Sequence, residues 1–175
     1  MVMFAQPTVT SLIIGFVIVV FGEAIRFWGV AIAGSETRTT GRVGGTFLIT
    51  NGPFAHVRNP LYVGNMLLYA GVGVMSNALF PWLLGIAMLF FYIQYMLIVS
   101  HEEEYLTQTF GEAFVHYTQH VRRFFPRLTP YESPTPHPKQ ANLREGLASE
   151  KRTLQAILLV TVLLVGIYLW REYNG

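Results

Sequence analysis

Apolar residues along this chain gather into four long runs separated by polar, glycine- and proline-rich connections. The runs cover roughly residues 9–33, 61–79, 80–99 and 153–170. Each approaches the roughly 20 helical residues that cross a bilayer, so the pattern predicts an all-α integral membrane protein with about four transmembrane helices. Between the second and third runs stand only Ser76 and Asn77, with Pro81 just after, which predicts a helical hairpin. Gly41, Gly44, Gly45, Gly52 and Pro53 argue against a long helix in the first connection. In the second, Leu106, Phe110, Phe114, Tyr117 and Val121 recur mostly four residues apart, the stripe of an amphipathic helix over 101–121 lying at the membrane surface. Five prolines between 126 and 138 then make an irregular linker. The expected organisation is a core over 1–131 with a loop at 34–62, a linker and basic segment over 132–152, and a last span over 153–175.

Glycine adds a packing signal. Gly15, Gly22 and Gly29 fall seven residues apart in the first run, as do Gly64 and Gly71 in the second. Small residues on one face let membrane helices approach closely. Gly71-Val72-Gly73 lies inside a span and is not read as a nucleotide loop.

Composition agrees with the pattern. Hydrophobic residues make up 52% and charged residues 13% of 175 residues, about half the charge of a soluble domain. A net charge of +2 gives no reason to expect nucleic acid as a partner. Cysteine is absent, which excludes disulfides, thiolate metal sites and thiol nucleophiles. Aspartate is absent as well, so the acidic chemistry rests on ten glutamates. The first run lacks a basic start and holds Glu23 and Arg26, so it reads as a span and not a cleaved signal, although Ala31-Ile32-Ala33 mimics a cleavage site. Most basic residues fall in the two long connections, which the positive-inside rule places in the cytoplasm, with both termini opposite.

Two polar segments stand out. Residues 52–64 (Gly-Pro-Phe-Ala-His-Val-Arg-Asn-Pro-Leu-Tyr-Val-Gly) alternate rigid and flexible positions at the mouth of the second span. Irregular backbone there offers N–H and C=O groups to a polar ligand, although on composition alone a turn that starts a helix at Pro60 is the simpler reading. Glu102-Glu103-Glu104 follows the third span; Ser100 and Glu103 have capping-box spacing, so a helix start is the simpler reading. Glu23 and Arg26 are close enough to pair within their span. His101, His116 and His120 invite a metal, but a solvated helix face accounts for them, and no metal is expected.

The order of the two segments carries more than either does alone. Gly-Pro-Phe-x-x-x-Arg-x-Pro-x-Tyr-x-Gly opens the hairpin, and Glu-Glu-x-x-Leu-x-x-x-Phe-Gly-x-x-Phe-x-x-Tyr-x-x-x-Val-x-Arg-Phe-x-Pro follows it from Glu102 to Pro126. This resembles the isoprenylcysteine carboxyl methyltransferase and phospholipid methyltransferase superfamily over roughly residues 22–126. The resemblance implies a helical membrane enzyme with S-adenosyl-L-methionine as cofactor, held in a cytoplasm-facing pocket closed by the amphipathic helix. The lipid or lipidated substrate would enter sideways between helices. Carried over, the cofactor-binding positions are Thr46, Phe47, Leu48, Ile49, Phe54, Asn59, Pro60, Leu61, Tyr62 and Glu102, with Phe47, Phe54 and Phe124 as an aromatic wall. Glu103, His56 and Arg58 are the catalytic candidates, the first two as a base for an amine acceptor. The chain departs from the carboxyl methyltransferases at Thr46 and Asn59, where those have histidine. It has Ile98 where they place the arginine that receives the substrate carboxylate, so Arg26, Arg58 or Arg123 would have to substitute. Asn-Pro-x-Tyr without that arginine is nearer the phospholipid N-methyltransferases, whereas the Phe-Gly-x-x-Phe-x-x-Tyr helix leans toward the carboxyl methyltransferases. Alternatives are an NADPH-dependent membrane lipid or sterol reductase and a non-catalytic membrane scaffold.

Overall fold

The computed structural model describes residues 4–34, 47–135 and 139–174, and these are helical and irregular, without a strand. Five α-helices follow in order: α1 (Val9–Ala33), α2 (Pro60–Ser76), α3 (Trp82–Phe110), α4 (Glu112–His120) and α5 (Leu143–Asn174). A single 3-10 turn, Gly52–Ala55, precedes α2. Among the described residues α1, α3 and α5 are long and apolar enough to cross a membrane, which marks a multi-pass membrane protein.

Three boundaries differ from expectation. The second expected span is the 17-residue α2, about 25 Å at 1.5 Å per residue and at the short limit for a crossing. It stops at Ser76 because Asn77 and Leu79 turn into the left-handed region, with φ of 49° and 47°. Asparagine tolerates that conformation and leucine does not, so the turn is held from outside: the Asn77 amide donates to the Gln6 carbonyl at 3.0 Å. The amphipathic helix expected over 101–121 is two pieces. α3 runs unbroken through the three glutamates to Phe110, so Glu102–Glu104 do not start a helix. The Ser100 hydroxyl bonds back to the Met96 carbonyl at 2.8 Å instead of capping. The break comes at Gly111, whose φ of 53° suits glycine. Finally, α5 begins at Leu143, ten residues before the apolar run. Asn142 caps it: its Oδ1 accepts from the Glu145 amide at 3.2 Å.

The chain forms two compact units. Residues 1–24, 64–93 and 151–175 make the first, residues 25–63 and 94–150 the second. In the first unit, Val19, Leu68, Met75 and Leu164 form a thin core with Ala5. Most other large apolar side chains face outward, among them Phe21, Leu89, Phe90, Leu158 and Leu159, the distribution expected where lipid is the solvent. The glycine stripe brings α1 against α2. A Cβ on Gly22 would sit 2.8 Å from Leu67 Cβ and 2.9 Å from the Gly64 carbonyl oxygen, and one on Gly15 would sit 2.5 Å from the Gly71 carbonyl oxygen.

In the second unit the start of α5 is tied to the end of α1. The Asn142 amide donates to the Ala31 carbonyl at 2.8 Å, and Lys139 Nζ to the Ala33 carbonyl at 2.8 Å. Glu150, wholly buried, accepts from Arg26 Nη2 with both carboxylate oxygens, at 3.0 and 2.8 Å. The charge inside α1 therefore finds a partner 124 residues away.

Candidate cofactor site

The two polar segments meet within the second unit. Gly52 adopts φ 61°, and a Cβ there would lie 3.0 Å from Ile32 Cγ1, so glycine fits both the turn and the space. Pro53 follows within the first positions of the 3-10 turn. Beyond it residues 55–59 run beside 122–131. The Tyr131 amide donates to the Ala55 carbonyl (2.9 Å), Arg127 to His56 (2.9 Å), Arg58 to Arg122 (2.9 Å) and Asn59 to Arg123 (3.2 Å). Side chains reinforce the seam. Tyr117 Oη donates to the Phe54 carbonyl at 2.6 Å, and Asn59 Nδ2 to the Arg123 carbonyl at 3.2 Å. Ala55, Phe114, Tyr117, Val121 and Tyr131 form the core beneath, with Leu48, Leu106 and Phe110 against it. The apolar stripe expected from Leu106 to Val121 is thus real, but shared between α3 and α4.

Consecutive residues on a helix point about 100° apart, and Glu102 and Glu103 use that divergence. Glu103 closes a clasp. Its Oε1 accepts from Arg58 Nε at 2.9 Å and its Oε2 from Arg123 Nε at 2.9 Å. Arg58 Nη1 donates as well to the carbonyl of Thr118 at 2.9 Å and to that of Val121, satisfying the last turn of α4. Glu102 faces α2, where Tyr62, on the first turn, donates to its Oε1 at 2.6 Å. Among the described residues no side-chain hydrogen bond reaches Glu102 Oε2. The Tyr62 ring lies 4.8 Å from that of Tyr95.

An open cleft of about 410 Å³ lies in the same unit. Phe47, Leu48, Phe110, Glu112, His116 and Tyr131 are among its walls. Tyr131 Oη and His116 Nδ1 are 2.9 Å apart. Burial pushes the Tyr131 phenol up, with the Ser133 hydroxyl opposing in part. Burial likewise raises Tyr117, with Arg58 opposing, so both stay neutral donors at physiological pH.

The expected site residues thus divide. Tyr62 and Glu102 touch each other; Asn59 and Phe54 belong to the seam. Pro60 is fully buried, and Leu61 packs where a Cβ on Gly29 would be, 3.0 Å from its Cδ2. Phe47 and Leu48 line the cleft, which Tyr62 and Glu102 do not. Ile49 is half-buried. Thr46 lies outside the described residues. His56 Nδ1 lies 2.9 Å from the Arg127 carbonyl oxygen. Glu103 and Arg58 are bonded together. All three arginines that would stand in for a carboxylate clamp are engaged: Arg26 with Glu150, Arg58 and Arg123 with Glu103. Sequence reasoning missed Tyr131, which sits in a proline-rich stretch with no periodicity to flag it. Among the described residues no group of three or more His, Asp or Glu is placed to hold a metal ion.

The sequence model of the phospholipid methyltransferase family matches residues 10–113. The chain belongs to the phospholipid methyltransferase family. The match takes in Tyr62, Glu102 and Glu103 and stops in the first turn of α4. The seam segment at 122–131 and α5 lie beyond it. Two curated relatives are similar over part of this family member. The cobalt-zinc-cadmium resistance protein CzcN of Cupriavidus metallidurans is 36% identical over 84 residues, 48% of this chain and 38% of the relative. The nickel-cobalt-cadmium resistance protein NccN of Alcaligenes xylosoxydans xylosoxydans is 35% identical over 88 residues, 50% of this chain and 40% of the relative. The matched stretch thus spans about two-fifths of each relative's length. No solved structure matches the chain.

Proposed function

We propose that this protein is an S-adenosyl-L-methionine-dependent methyltransferase acting on an amine dissolved in or tethered to the lipid bilayer. Membership of the phospholipid methyltransferase family supports the reaction class. One observation carries the site: Tyr62 and Glu102, 40 residues apart, share a 2.6 Å hydrogen bond with one carboxylate oxygen left over. A part-buried carboxylate with an open lone-pair face fits the ammonium or ribose hydroxyls of that cofactor.

When bound, the cofactor supplies a sulfonium methyl group whose transfer leaves a neutral thioether. The chain's part is to bind and to orient. Tyr62 holds the Glu102 carboxylate in one rotamer. The Asn59–Pro60 backbone is fixed by the seam to residues 122–131. Both act by limiting motion, and placement of reacting groups within about 3–3.5 Å supplies up to about 7–11 kcal/mol of a barrier. An amine acceptor is favoured over a carboxylate because each candidate arginine clamp is already bonded to a glutamate. Basic residues in the two long connections support a cytoplasmic site with both termini on the far side.

The test is incubation of the purified protein with isotopically labelled S-adenosyl-L-methionine and a total lipid extract, followed by mass spectrometry. A labelled amine-bearing lipid is expected. Glu102→Gln and Tyr62→Phe should each weaken cofactor binding in calorimetry by about tenfold, the loss of one charge-assisted hydrogen bond. Absence of both cofactor binding and labelled lipid sinks the reading.

A further inference from the structure

A lipid amine reaches the enzyme as an ammonium without a lone pair, so a proton has to leave it before a methyl group can arrive. Two side chains of the second unit are candidates to take that proton, and the structure separates them. Glu103 is spent. Its Oε1 accepts from Arg58 Nε at 2.9 Å and its Oε2 from Arg123 Nε at 2.9 Å, so a proton on either oxygen would displace an arginine. His56 is held differently. Residue 127 clamps it from two sides: the Arg127 amide donates to the His56 carbonyl at 2.9 Å, and His56 Nδ1 lies 2.9 Å from the Arg127 carbonyl oxygen. A carbonyl only accepts, so Nδ1 carries the hydrogen and Nε2 the lone pair. The residue is half-buried, which fixes the ring yet leaves it within reach. A neutral imidazole oriented through Nδ1 is equipped to act as a base at Nε2.

Trp28 stands beside it, with ring centroids 6.2 Å apart. A Cβ on Gly52 would lie 3.4 Å from Trp28 Nε1, so the indole is seated against the same loop. Trp28 lies five residues before the end of α1. Near the end of a span, tryptophan sits at headgroup level. Its side chain is 45% exposed, and an aromatic face attracts an ammonium. Resting on the methyltransferase reading, we infer that His56 Nε2 is the proton acceptor for the lipid amine and that Trp28 is the platform that holds the ammonium beside it. The proton passes from the ammonium nitrogen to Nε2, and the N–H electron pair stays on nitrogen. That pair forms the new N–C bond as the C–S bond breaks, with the C–S pair remaining on sulfur as a neutral thioether. The amine leaves as a methylammonium, and the imidazolium returns its proton to water. No further reactant is required.

His56→Asn is the sharpest variant, because an asparagine Nδ2 still donates to the Arg127 carbonyl and only the Nε2 lone pair is lost. Its unfolding midpoint and its affinity for S-adenosylhomocysteine in detergent should match the parent. With phosphatidylethanolamine in mixed micelles as acceptor, kcat should fall about a hundredfold or more while KM stays. A synthetic lipid whose headgroup ends in an aminooxy group, unprotonated at neutral pH, should be methylated by His56→Asn nearly as fast as by the parent. Trp28→Ala should instead raise KM for phosphatidylethanolamine and keep kcat, and Trp28→Phe should restore KM. A readout without turnover is the nitrogen-15 spectrum of histidine-labelled protein in detergent, where the side-chain signal that vanishes in His56→Asn should belong to the Nδ1–H form. An Nε2–H form, an equal loss on both acceptors, or no loss on phosphatidylethanolamine overturns the assignment and leaves the methyltransferase reading standing. So does a parent that binds S-adenosylhomocysteine but methylates neither lipid, since the inference needs an amine acceptor. An unchanged KM in Trp28→Ala removes the platform. If the parent neither binds S-adenosylhomocysteine nor methylates either lipid, the methyltransferase reading itself falls.

Discussion

Arg58→Ala is the substitution with the largest expected cost. Arg58 makes three bonds, to Glu103 and to the Thr118 and Val121 carbonyls, and its side chain is 11% exposed against 13% for Glu103. Breaking a buried ion pair from one side costs about 3–5 kcal/mol, because the remaining charge has lost its partner. Here Glu103 keeps Arg123, which lowers that share. The two carbonyls at the end of α4 lose a charged donor, about 1.5–3 kcal/mol each when nothing replaces it. Water reaches this part-buried end, so the lower figures apply, and about 3–4 kcal/mol is expected in all. Glu103→Gln should cost less, about 1–2 kcal/mol, since Arg58 keeps its carbonyls and the amide oxygen still accepts one bond. The pair should show a coupling of about 1–3 kcal/mol in a double-mutant cycle. Equilibrium unfolding in detergent micelles reads all of these. An Arg58→Ala protein within about 0.5 kcal/mol of the parent would refute the clasp. The same set separates glue from chemistry: if Glu103→Gln keeps full stability and cofactor affinity yet loses methyl transfer, Glu103 is the proton acceptor and not a clasp.

Gly22→Leu should destabilise the first unit by at least about 1–3 kcal/mol through overpacking against Leu67 and the Gly64 carbonyl, whereas Gly85→Ala, with nothing within 4 Å, should leave the thermal midpoint unchanged or raised. Arg26→Leu removes the two bonds that fully buried Glu150 accepts from it and should cost up to about 3–5 kcal/mol, with Arg26→Leu/Glu150→Leu recovering part of it; no cost at all would mean that the bond is incidental. Burial raises the Tyr117 phenol, so the folded protein holds that proton when the unfolded chain, at about pH 10, gives it up. Its contribution to stability is present below about pH 10 and is lost as pH rises above it. Alkaline unfolding should therefore be milder in Tyr117→Phe, read as a shallower slope of stability against pH above 10.

What could be read beforehand was whatever repeats along one helix. The glycines at 15, 22 and 29 announce a close contact because seven residues return to the same face, and the structure seats that face on α2. The stripe from Leu106 to Val121 announces a buried face, and periodicity of that kind survives a kink, so the break at Gly111 passed unseen. The glutamates misled for a local reason. Acidic residues after an apolar run look like a helix start, but nothing between Trp82 and Phe110 breaks a helix, and the backbone simply continues. The short α2 misled in the opposite way: hydropathy does not register the left-handed turn at Asn77 and Leu79. Pairings across 45, 64 or 124 residues, such as Arg58–Glu103, Asn59–Arg123 and Arg26–Glu150, leave no pattern within either segment.

Those long-range pairings bear on what a family match can and cannot contain. The matched residues, 10–113, include Tyr62 and Glu102 but not the irregular segment at 122–131 that fixes Asn59, nor the Glu150 that pairs with Arg26. Segments beyond the match therefore complete the unit that holds the candidate site. Their hydrogen bonds go largely to backbone: four seam bonds run amide to carbonyl, and Arg58 spends two of its three bonds on carbonyls. Backbone partners tolerate almost any side chain at the partner position. A scaffold built that way needs its geometry kept and little of its sequence, while Tyr62–Glu102 and Arg58–Glu103–Arg123 need their side chains. Substitutions at 122, which offers its carbonyl, and substitutions at 127 that keep its N–H should accordingly leave the seam intact, and proline at 127 or 131, which removes the donor, should open it.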